Sequence, residues 1–344
     1  MRHKKLYTVA TFIVFALLWQ FSSCKDAQNP PDVSEEKVEL KTFRLDRDLA
    51  TIDTNRIGEG LAALKRSYPD FLDFYLDTLM GYQVEGNYSD TNQAVRTFLT
   101  YPDFRNLFDT IAKHYPNTKD IDAELAKGFQ YLKHYFPSYP LPVIIYINSN
   151  LNNYAAFTYD TIAIGIGLDM YLGEKYPFYA AVGIPEYMTR KLTKAYIPVN
   201  VFQSIYRATH PFVMDNRTLL DMMIQRGKEQ YFLSKIIPFV DEAVRFGFTK
   251  KQLEWCEASE AAVYNFFIDK QFLYSTNLQQ VMRYVNDGPN AAGMPAESPG
   301  NIGSWIGYRI VKAYAEKNPD ADLQKILNAD DAQRILLLSK YKPK

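Results

Sequence analysis

Residues 141–167 read LPVIIYINSNLNNYAAFTYDTIAIGIG, and they decide the fold because the spacing of apolar residues changes here. The runs Val143–Ile147 and Ile162–Ile166 are short, rich in β-branched residues and bounded by Pro and by Asn or Asp turns, which is typical of strands. A third strand is predicted between them at Tyr154–Thr158. Together these runs predict a small sheet made of a hairpin and one further strand.

Helical spacing dominates the chain on both sides of this segment. Upstream, apolar residues recur at i, i+4, i+7 and i+11 and stop at a proline: Ile57, Leu61, Leu64 and Tyr68. Downstream, the helical period predicts helices over 219–236, 249–272, 303–317 and 330–340. The predicted fold class is therefore mainly α with a small β-sheet (α+β), in a single globular domain over 42–344.

The N-terminus carries the features of an export signal. Basic residues precede an apolar run, Leu6–Trp19, that is too short to span a membrane by itself. The run leads to Phe21–Cys24, read FSSC, which resembles the lipobox of bacterial lipoproteins. In such proteins the cysteine is lipidated and the chain is cut before it, so we predict a lipoprotein signal peptide over 1–23 and lipidation of Cys24. An ordinary signal peptide with an accidental cysteine is the alternative.

The segment after the cysteine is polar. Residues 25–41 read KDAQNPPDVSEEKVELK and contain too few apolar residues to bury a core, so we predict a flexible tether over 24–41. Removal of residues 1–23 takes away three basic residues and no acidic one, which leaves 36 basic and 39 acidic residues and a formal net charge of −3. This balance gives no support to nucleic-acid binding, for which a basic patch would be expected.

The chain offers no familiar catalytic or metal-binding motif. No G-x-S-x-G elbow is present, and Gly165–Gly167 lacks the third glycine of a dinucleotide loop. After the signal peptide the histidines are His114, His134 and His210, none of them at helical spacing from another. Cys256, beside a tryptophan on a helical stretch, fits a small buried hydrophobe better than a nucleophile. We therefore predict no catalytic residue, no metal ligand and no cofactor.

Short motifs follow the predicted sheet in a fixed order. They read IGIGLDMYLG at 164–173, IPEY at 184–187, LLDMMI at 219–224, QLEWC at 252–256 and PGNIGSWIGYRIV at 299–311. This series resembles the GldB-type gliding-motility lipoproteins of Bacteroidota, over roughly residues 40–343. The resemblance implies an envelope lipoprotein associated with the gliding machinery.

The GldB-type family is also distantly similar to gluzincin-type zinc peptidases, whose metal ligands this sequence lacks. Residues 178–191, where the metal-binding helix would fall, contain no histidine, and Arg226 stands where a third ligand, Glu, would be expected. Three protein ligands for zinc cannot be assembled from these residues. The resemblance thus implies a degenerate zincin-like scaffold that is not an enzyme.

The predicted function is a lipid-anchored, non-enzymatic component of the gliding-motility and surface-secretion machinery in the cell envelope. Its predicted partners are the membrane, through the lipid, and envelope proteins of the motility apparatus. The predicted location is the outer membrane facing the periplasm, with surface exposure as the alternative. Two other functions stay open: a metallopeptidase-like envelope hydrolase, and an envelope ligand-binding lipoprotein that uses the turn Asn148–Tyr154.

Two residues are candidates for binding a partner. Trp305 lies between Gly303 and Gly307, and Arg309 follows one helical turn later on the same face. Tryptophan and arginine are common anchors at protein interfaces. The alternative for Trp305 is a core position beside small neighbours. Glu260 and Asp169 are likewise either functional acids or, more in keeping with their setting, helix caps and buried pairs.

Overall fold

A four-stranded mixed sheet orders the helices around it. The computed structural model describes residues 30–82 and 88–344. The strands are β1 (Thr42–Arg44), β2 (Val143–Ile147), β3 (Ala156–Tyr159) and β4 (Ala163–Gly167). Their order is β1-β2-β4-β3; β2 pairs in parallel with β1 and β4, and β3 pairs antiparallel with β4. The predicted strands are confirmed to within two residues, and β1 is an additional strand.

Helices make up most of the described chain, which confirms the mainly α fold class. Before β2 they are α1 (Leu45–Ala50), α2 (Ile57–Ser67), α3 (Pro69–Phe74), α4 (Tyr88–Thr100), α5 (Pro102–His114) and α6 (Lys119–Tyr135). After β4 they are α7 (Phe178–Ala181), α8 (Glu186–Thr189), α9 (Ile197–Thr209), α10 (Leu219–Ile236), α11 (Glu242–Phe246), α12 (Lys250–Ala258), α13 (Glu260–Asp269), α14 (Leu278–Val285), α15 (Ile302–Lys317), α16 (Leu323–Asn328) and α17 (Ala332–Ser339). The predicted helix over 249–272 is divided between α12 and α13 at Ser259.

Both faces of the sheet are buried, because successive side chains of a strand point to opposite faces. In β2, Ile144 and Tyr146 pack in a core with α6 and α9, whereas Ile145 and Ile147 pack in a second core with the N-terminal helices. A sheet covered on both faces takes continuous apolar strands, which explains the unbroken run in β2.

A third core forms around the contact between α10 and α15. The two helices approach closely at Gly227 and Gly307, where neither residue has a side chain to separate the backbones. A Cβ built on Gly307 would lie 1.7 Å from the carbonyl oxygen of Met223, so no side chain fits there. The helix α10 is therefore buried on nearly all sides along its length.

Residues before the predicted domain start at residue 42 also pack against the core. The compact unit runs from Val33 to Lys344, and Val33 itself is buried. Gln130 Nε2 donates a hydrogen bond to the carbonyl of Glu36, and Val38 packs against the core. The few apolar residues of this polar segment, such as Val33 and Val38, hold it against the domain. The predicted signal peptide and the Cys24 lipidation site lie outside the described residues.

Candidate functional site

A cleft of about 690 Å³ lies beside strand β3, among α9, α10 and α11. Its size is within the range of about 300–1,000 Å³ that is common for ligand sites. One wall is β3 with the residue before it, from Ala155 to Thr158, and α9 packs against this strand. Pro198 in the first turn of α9 suits a helix start, because the missing N–H would be unpaired there in any case.

The cleft carries an excess of positive charge, although the whole chain has a formal net charge of zero. Its charged lining residues are Lys191, Arg207, Arg226 and Arg245, together with Glu229 and Asp287. Four cations against two carboxylates in one concave site favour an anionic ligand.

Glu229 in α10 is the centre of an ion-pair network. The residue is 3% exposed. Arg207 donates to its two oxygens from Nε and Nη2, each at 3.0 Å, and Arg226 Nη1 donates at 3.3 Å. Gln203 Nε2 adds a fourth bond at 3.2 Å. Because each oxygen accepts two of these bonds, Glu229 has no free acceptor with which to take a proton from a substrate.

Arg245 in α11 contrasts with this network because most of its donors are unused. The residue is 8% exposed, and its only side-chain hydrogen bond within the described part of the chain runs from Nη2 to Glu242 Oε2, at 3.4 Å. The Nε and Nη1 atoms are buried without a partner among the described residues. In the same cleft, Gln230 Nε2 donates to the carbonyl of Arg245, while Gln230 Oε1 is also buried and unpartnered. Unpaired buried polar groups are costly and call for an explanation.

A second ion pair lines another part of the cleft. Lys191 Nζ lies 2.6 Å from Asp287 Oδ1, and Asn301 Nδ2 donates to the same oxygen at 3.2 Å. This pair neutralises Lys191, whereas Arg245 keeps two buried nitrogens without a partner among the described residues.

Trp305 is a buried core residue in this structure, and its role in binding a partner stays a prediction. It is 0% exposed and packs in the α10–α15 core. The flanking Gly303 and Gly307 let neighbouring backbone approach α15, which closes the core over the indole ring. The core alternative considered from sequence is the one observed.

Arg309 is engaged within the protein rather than presented to a partner. Its guanidinium lies 5.5 Å from the Trp305 ring centroid, and its Nη2 atom lies 3.2 Å from Glu260 Oε2. Glu260 is 2% exposed and also accepts a hydrogen bond from the Tyr341 hydroxyl at 2.7 Å. A buried carboxylate needs such partners, so Arg309 and Glu260 form a structural pair.

Asp169 and the Asn-rich turn form one structural unit. Asp169 is fully buried and accepts hydrogen bonds from Ser149 N at 2.8 Å, Ser149 Oγ at 2.7 Å and Leu151 N at 2.7 Å. Within the turn, Asn150 and Asn153 have left-handed backbone, with φ of 55° and 64°. Asparagine tolerates this conformation, so turn geometry explains these residues. Of the turn, Asn153 reaches the cleft.

Cys256 and the histidines show no arrangement for catalysis. Cys256 is buried in the α10–α15 core, and burial raises the pKa of its thiol. His114 and His134 are exposed, and His210 stacks on Tyr206. Among the residues that the structure describes, no group of three or more His, Cys, Asp or Glu side chains could hold a metal ion.

The cleft residues Gln203, Glu229 and Arg245 are not among the residues predicted from the sequence. One signal was available, since Gln225–Gln230 reads QRGKEQ inside an otherwise apolar helix. A polar run in a helix that is buried all round requires internal partners. The contribution of Arg245 depends on how α11 folds over the cleft, which no local pattern reveals.

The fold and the cleft define a class: an α+β domain with a small mixed sheet and a cationic, ligand-sized cleft at the sheet edge. The family model described as gliding motility protein GldB matches residues 26–343, and the chain belongs to this family. No curated protein and no solved structure matches the chain.

Among the described residues, no helix is both long and apolar enough to cross a bilayer.

Proposed function

We propose that this protein is a lipid-anchored, non-enzymatic component of the gliding-motility and surface-secretion machinery in the cell envelope of a member of the Bacteroidota. The family match carries the proposal, because it extends over residues 26–343 and thus over all but the last residue of the compact unit. The match begins just after the FSSC sequence at Phe21–Cys24, which is the position expected for a lipoprotein. Lipid at Cys24 would hold the domain on the membrane, in our proposal the outer membrane on its periplasmic side.

The centre of the cleft supports a non-enzymatic role. Zinc peptidases use two histidines at i and i+4 on one helix, and a third ligand that gluzincins take from a glutamate on a second helix. Here Gln203 and Arg207 have the i, i+4 spacing on α9, and both donate to Glu229 of α10. An amide and a guanidinium are not zinc ligands, and their hydrogen bonds occupy both oxygens of Glu229. The region expected to form a metal-binding helix, 178–191, contains only the one-turn helices α7 and α8.

Substitution of the lipidation site tests the proposed anchor. Cys24→Ala in the full-length protein should prevent maturation or release the domain from the membrane fraction, since no described helix could replace the lipid. Membrane fractionation and the mass of the mature N-terminus are the measurements. Ser23→Ala is the matched control, because it keeps a small residue before the cysteine and should mature normally. A Cys24→Ala protein that matures and fractionates like the unaltered one contradicts the lipid anchor.

Deletion of the gene tests the role in motility. Loss of gliding or of surface-protein secretion, restored by the unaltered gene and not by the Cys24→Ala gene, is the expected result. A deletion strain with normal gliding and secretion in a gliding bacterium would argue against the proposed role. The Glu229→Gln variant alters the ion-pair network of the cleft. A folded Glu229→Gln protein should still restore gliding and secretion if the role in motility does not depend on catalysis.

A further inference from the structure

A role as a component of the motility machinery does not explain the unpartnered arginine and the strand edge in the cleft beside β3. We propose that it binds an extended peptide segment whose carboxylate pairs with Arg245 and whose main chain lies along the outer edge of β3. The proposal is independent of the lipid anchor and of the role in gliding, since it rests on the cleft alone.

Arg245 supplies the first argument. Its side chain is more than nine-tenths buried, lines the cleft and has Nε and Nη1 unpartnered among the described residues. Each N–H of a guanidinium can donate a charge-assisted hydrogen bond to a carboxylate oxygen. The single partner of Arg245, Glu242, does not line the cleft and contacts a different nitrogen, Nη2. Nε and Nη1 are enclosed in the free protein, so a ligand carboxylate in the cleft would reach one of them through a small rotation of the Arg245 side chain and would supply the partner that it lacks.

The remaining charges of the cleft direct an anion to Arg245. Arg207 and Arg226 are already paired with Glu229, and Lys191 is paired with Asp287. These pairs leave Arg245 as the cleft cation with unsatisfied donors, while the summed charge of the lining stays positive. A ligand carboxylate at Arg245 would bond donors that the ion pair with Glu242, at 3.4 Å, leaves unused.

Strand β3 supplies the second argument and selects a peptide as the ligand. Gly167 N donates to the carbonyl of Ala155, which identifies these residues as a hydrogen-bonded antiparallel pair. Because such pairs alternate along a ladder, the N–H and C=O groups of Ala156 and Thr158 point away from β4. In the described chain no strand pairs with β3 on that side, and both residues line the cleft. An open strand edge is a template for an added extended segment.

The experiment uses the full-length lipidated protein in detergent and a defined probe. Random pentapeptides with free carboxylates are incubated with the immobilised protein, and bound peptides are identified by mass spectrometry. Selected sequences are then synthesised with a fluorescent label, and their Kd is measured by fluorescence anisotropy. We expect peptides that bind with a Kd below about 1 mM. Failure to recover any such peptide overturns the proposal.

Changes to the peptide test both contacts on the unaltered protein. Replacing every carboxylate, by C-terminal amidation together with Asp→Asn and Glu→Gln, should weaken binding at least tenfold. Each replacement made alone tells whether the essential carboxylate is terminal or on a side chain. N-methylation at alternate amides should also weaken binding at least tenfold, because it removes main-chain donors. Undiminished binding after either change overturns the proposal.

Changes to the protein test the assigned residues. Arg245→Met should weaken binding at least tenfold and should keep or raise the thermal midpoint, since it removes buried unpartnered donors. The matched control Arg334→Met, on the exposed face of α17, should leave the Kd within twofold. Thr158→Pro removes one outward N–H and should weaken binding tenfold, whereas Thr158→Val keeps it. A folded Arg245→Met protein that binds normally contradicts the proposal, and the peptide changes decide it if the proline variant fails to fold.

Discussion

Asp169 is a fully buried carboxylate that holds the turn leading into β3. Burial raises the pKa of Asp169, and the hydrogen bonds from Ser149 and Leu151 act in the opposite direction. Leu151 has a φ of 58°, which is unusual for a residue other than Gly or Asn and costs free energy. The hydrogen bond from Leu151 N to Asp169 helps to hold this conformation. The acid is thus a positioning residue for the approach to the cleft.

Asp169→Asn should destabilise the domain by about 2–4 kcal/mol, because an amide offers one acceptor oxygen where three donors converge and aims its own N–H₂ at a donor. Urea unfolding measures the change. The control is Asp269→Asn at the exposed end of α13, for which a change below about 0.5 kcal/mol is expected. An Asp169→Asn protein as stable as the control would mean that the turn forms without the carboxylate.

Lys228 is a buried cation whose titration should be visible in the pH dependence of stability. Its Nζ donates to the carbonyls of Leu327 and Ala329, at 3.0 and 2.8 Å, which connects α10 to the C-terminal end of α16. Burial lowers the pKa of Lys228 from 10.5 to about 8, and Asp330 opposes this shift only partly. Between these two values the unfolded chain binds more protons than the folded one, so raising the pH stabilises the fold.

From pH 7.5 to 9.5 the unaltered protein should gain about 2 kcal/mol of unfolding free energy relative to Lys228→Met, which lacks the titrating group. Urea unfolding at both pH values is the measurement. Lys251→Met, at an exposed position of α12, should keep the slope of the unaltered protein. Equal slopes for the unaltered and Lys228→Met proteins would show that Lys228 has an ordinary pKa in the fold.

At the scale of elements, the contact between α10 and α15 depends on two glycines. A Cβ on Gly227 would lie 2.3 Å from the carbonyl carbon of Gly307, and one on Gly307 would overlap the Met223 carbonyl. Both obstacles are backbone atoms of packed helices, which cannot rotate away as a side chain could. Separation of the two helices would also loosen the packing of Trp305.

Gly307→Ala should therefore destabilise the protein by more than about 3 kcal/mol, although alanine is the better helix former. Thermal unfolding followed by circular dichroism is the measurement. Gly58→Ala in α2 is the matched control, since its Cβ would make only ordinary contacts, at 3.5 Å, and its effect should be neutral or slightly stabilising. A Gly307→Ala protein that melts with the control would mean that the helices can move apart at little cost.

The elements themselves could largely be predicted from the sequence, whereas their assembly could not. Apolar periodicity is local, so it placed α10 and the strands β2 and β4 almost residue by residue. The three-residue strand β1 exists only because it pairs with β2, about a hundred residues later in the chain, and local periodicity carries no such information.

The candidate site was harder to predict for the same reason. Trp305 between two glycines is compatible with a surface anchor or with a close-packed helix contact, and only the position of α10 decides between them. Arg245 becomes unusual only where its tertiary neighbours leave its donors unpaired. The roles of Trp305 and Arg245 can therefore be recognised only once their tertiary neighbours are known.

At the scale of the whole molecule, the absence of a bound metal stays a prediction that solution measurements can test. The full-length protein should contain less than about 0.2 zinc per chain, and a chelator should leave its thermal midpoint unchanged, because no three His, Cys, Asp or Glu side chains of the described residues are grouped to hold a metal. Elemental analysis and melting with and without EDTA are the measurements. Stoichiometric zinc, or a large loss of stability in chelator, would instead favour the metallopeptidase alternative.

The helix α10 belongs to two of the three cores. Its N-terminal half, Leu219–Ile224, packs with α15. Its C-terminal half contributes Phe232 and Ile236 to the core that contains Ile144 and Tyr146 of β2. Neither core can come apart while the other keeps α10 in place, so the two should melt as one cooperative unit. A substitution that destabilises the core around α15 should then also destabilise the core that packs against the sheet, although the two are far apart in the sequence.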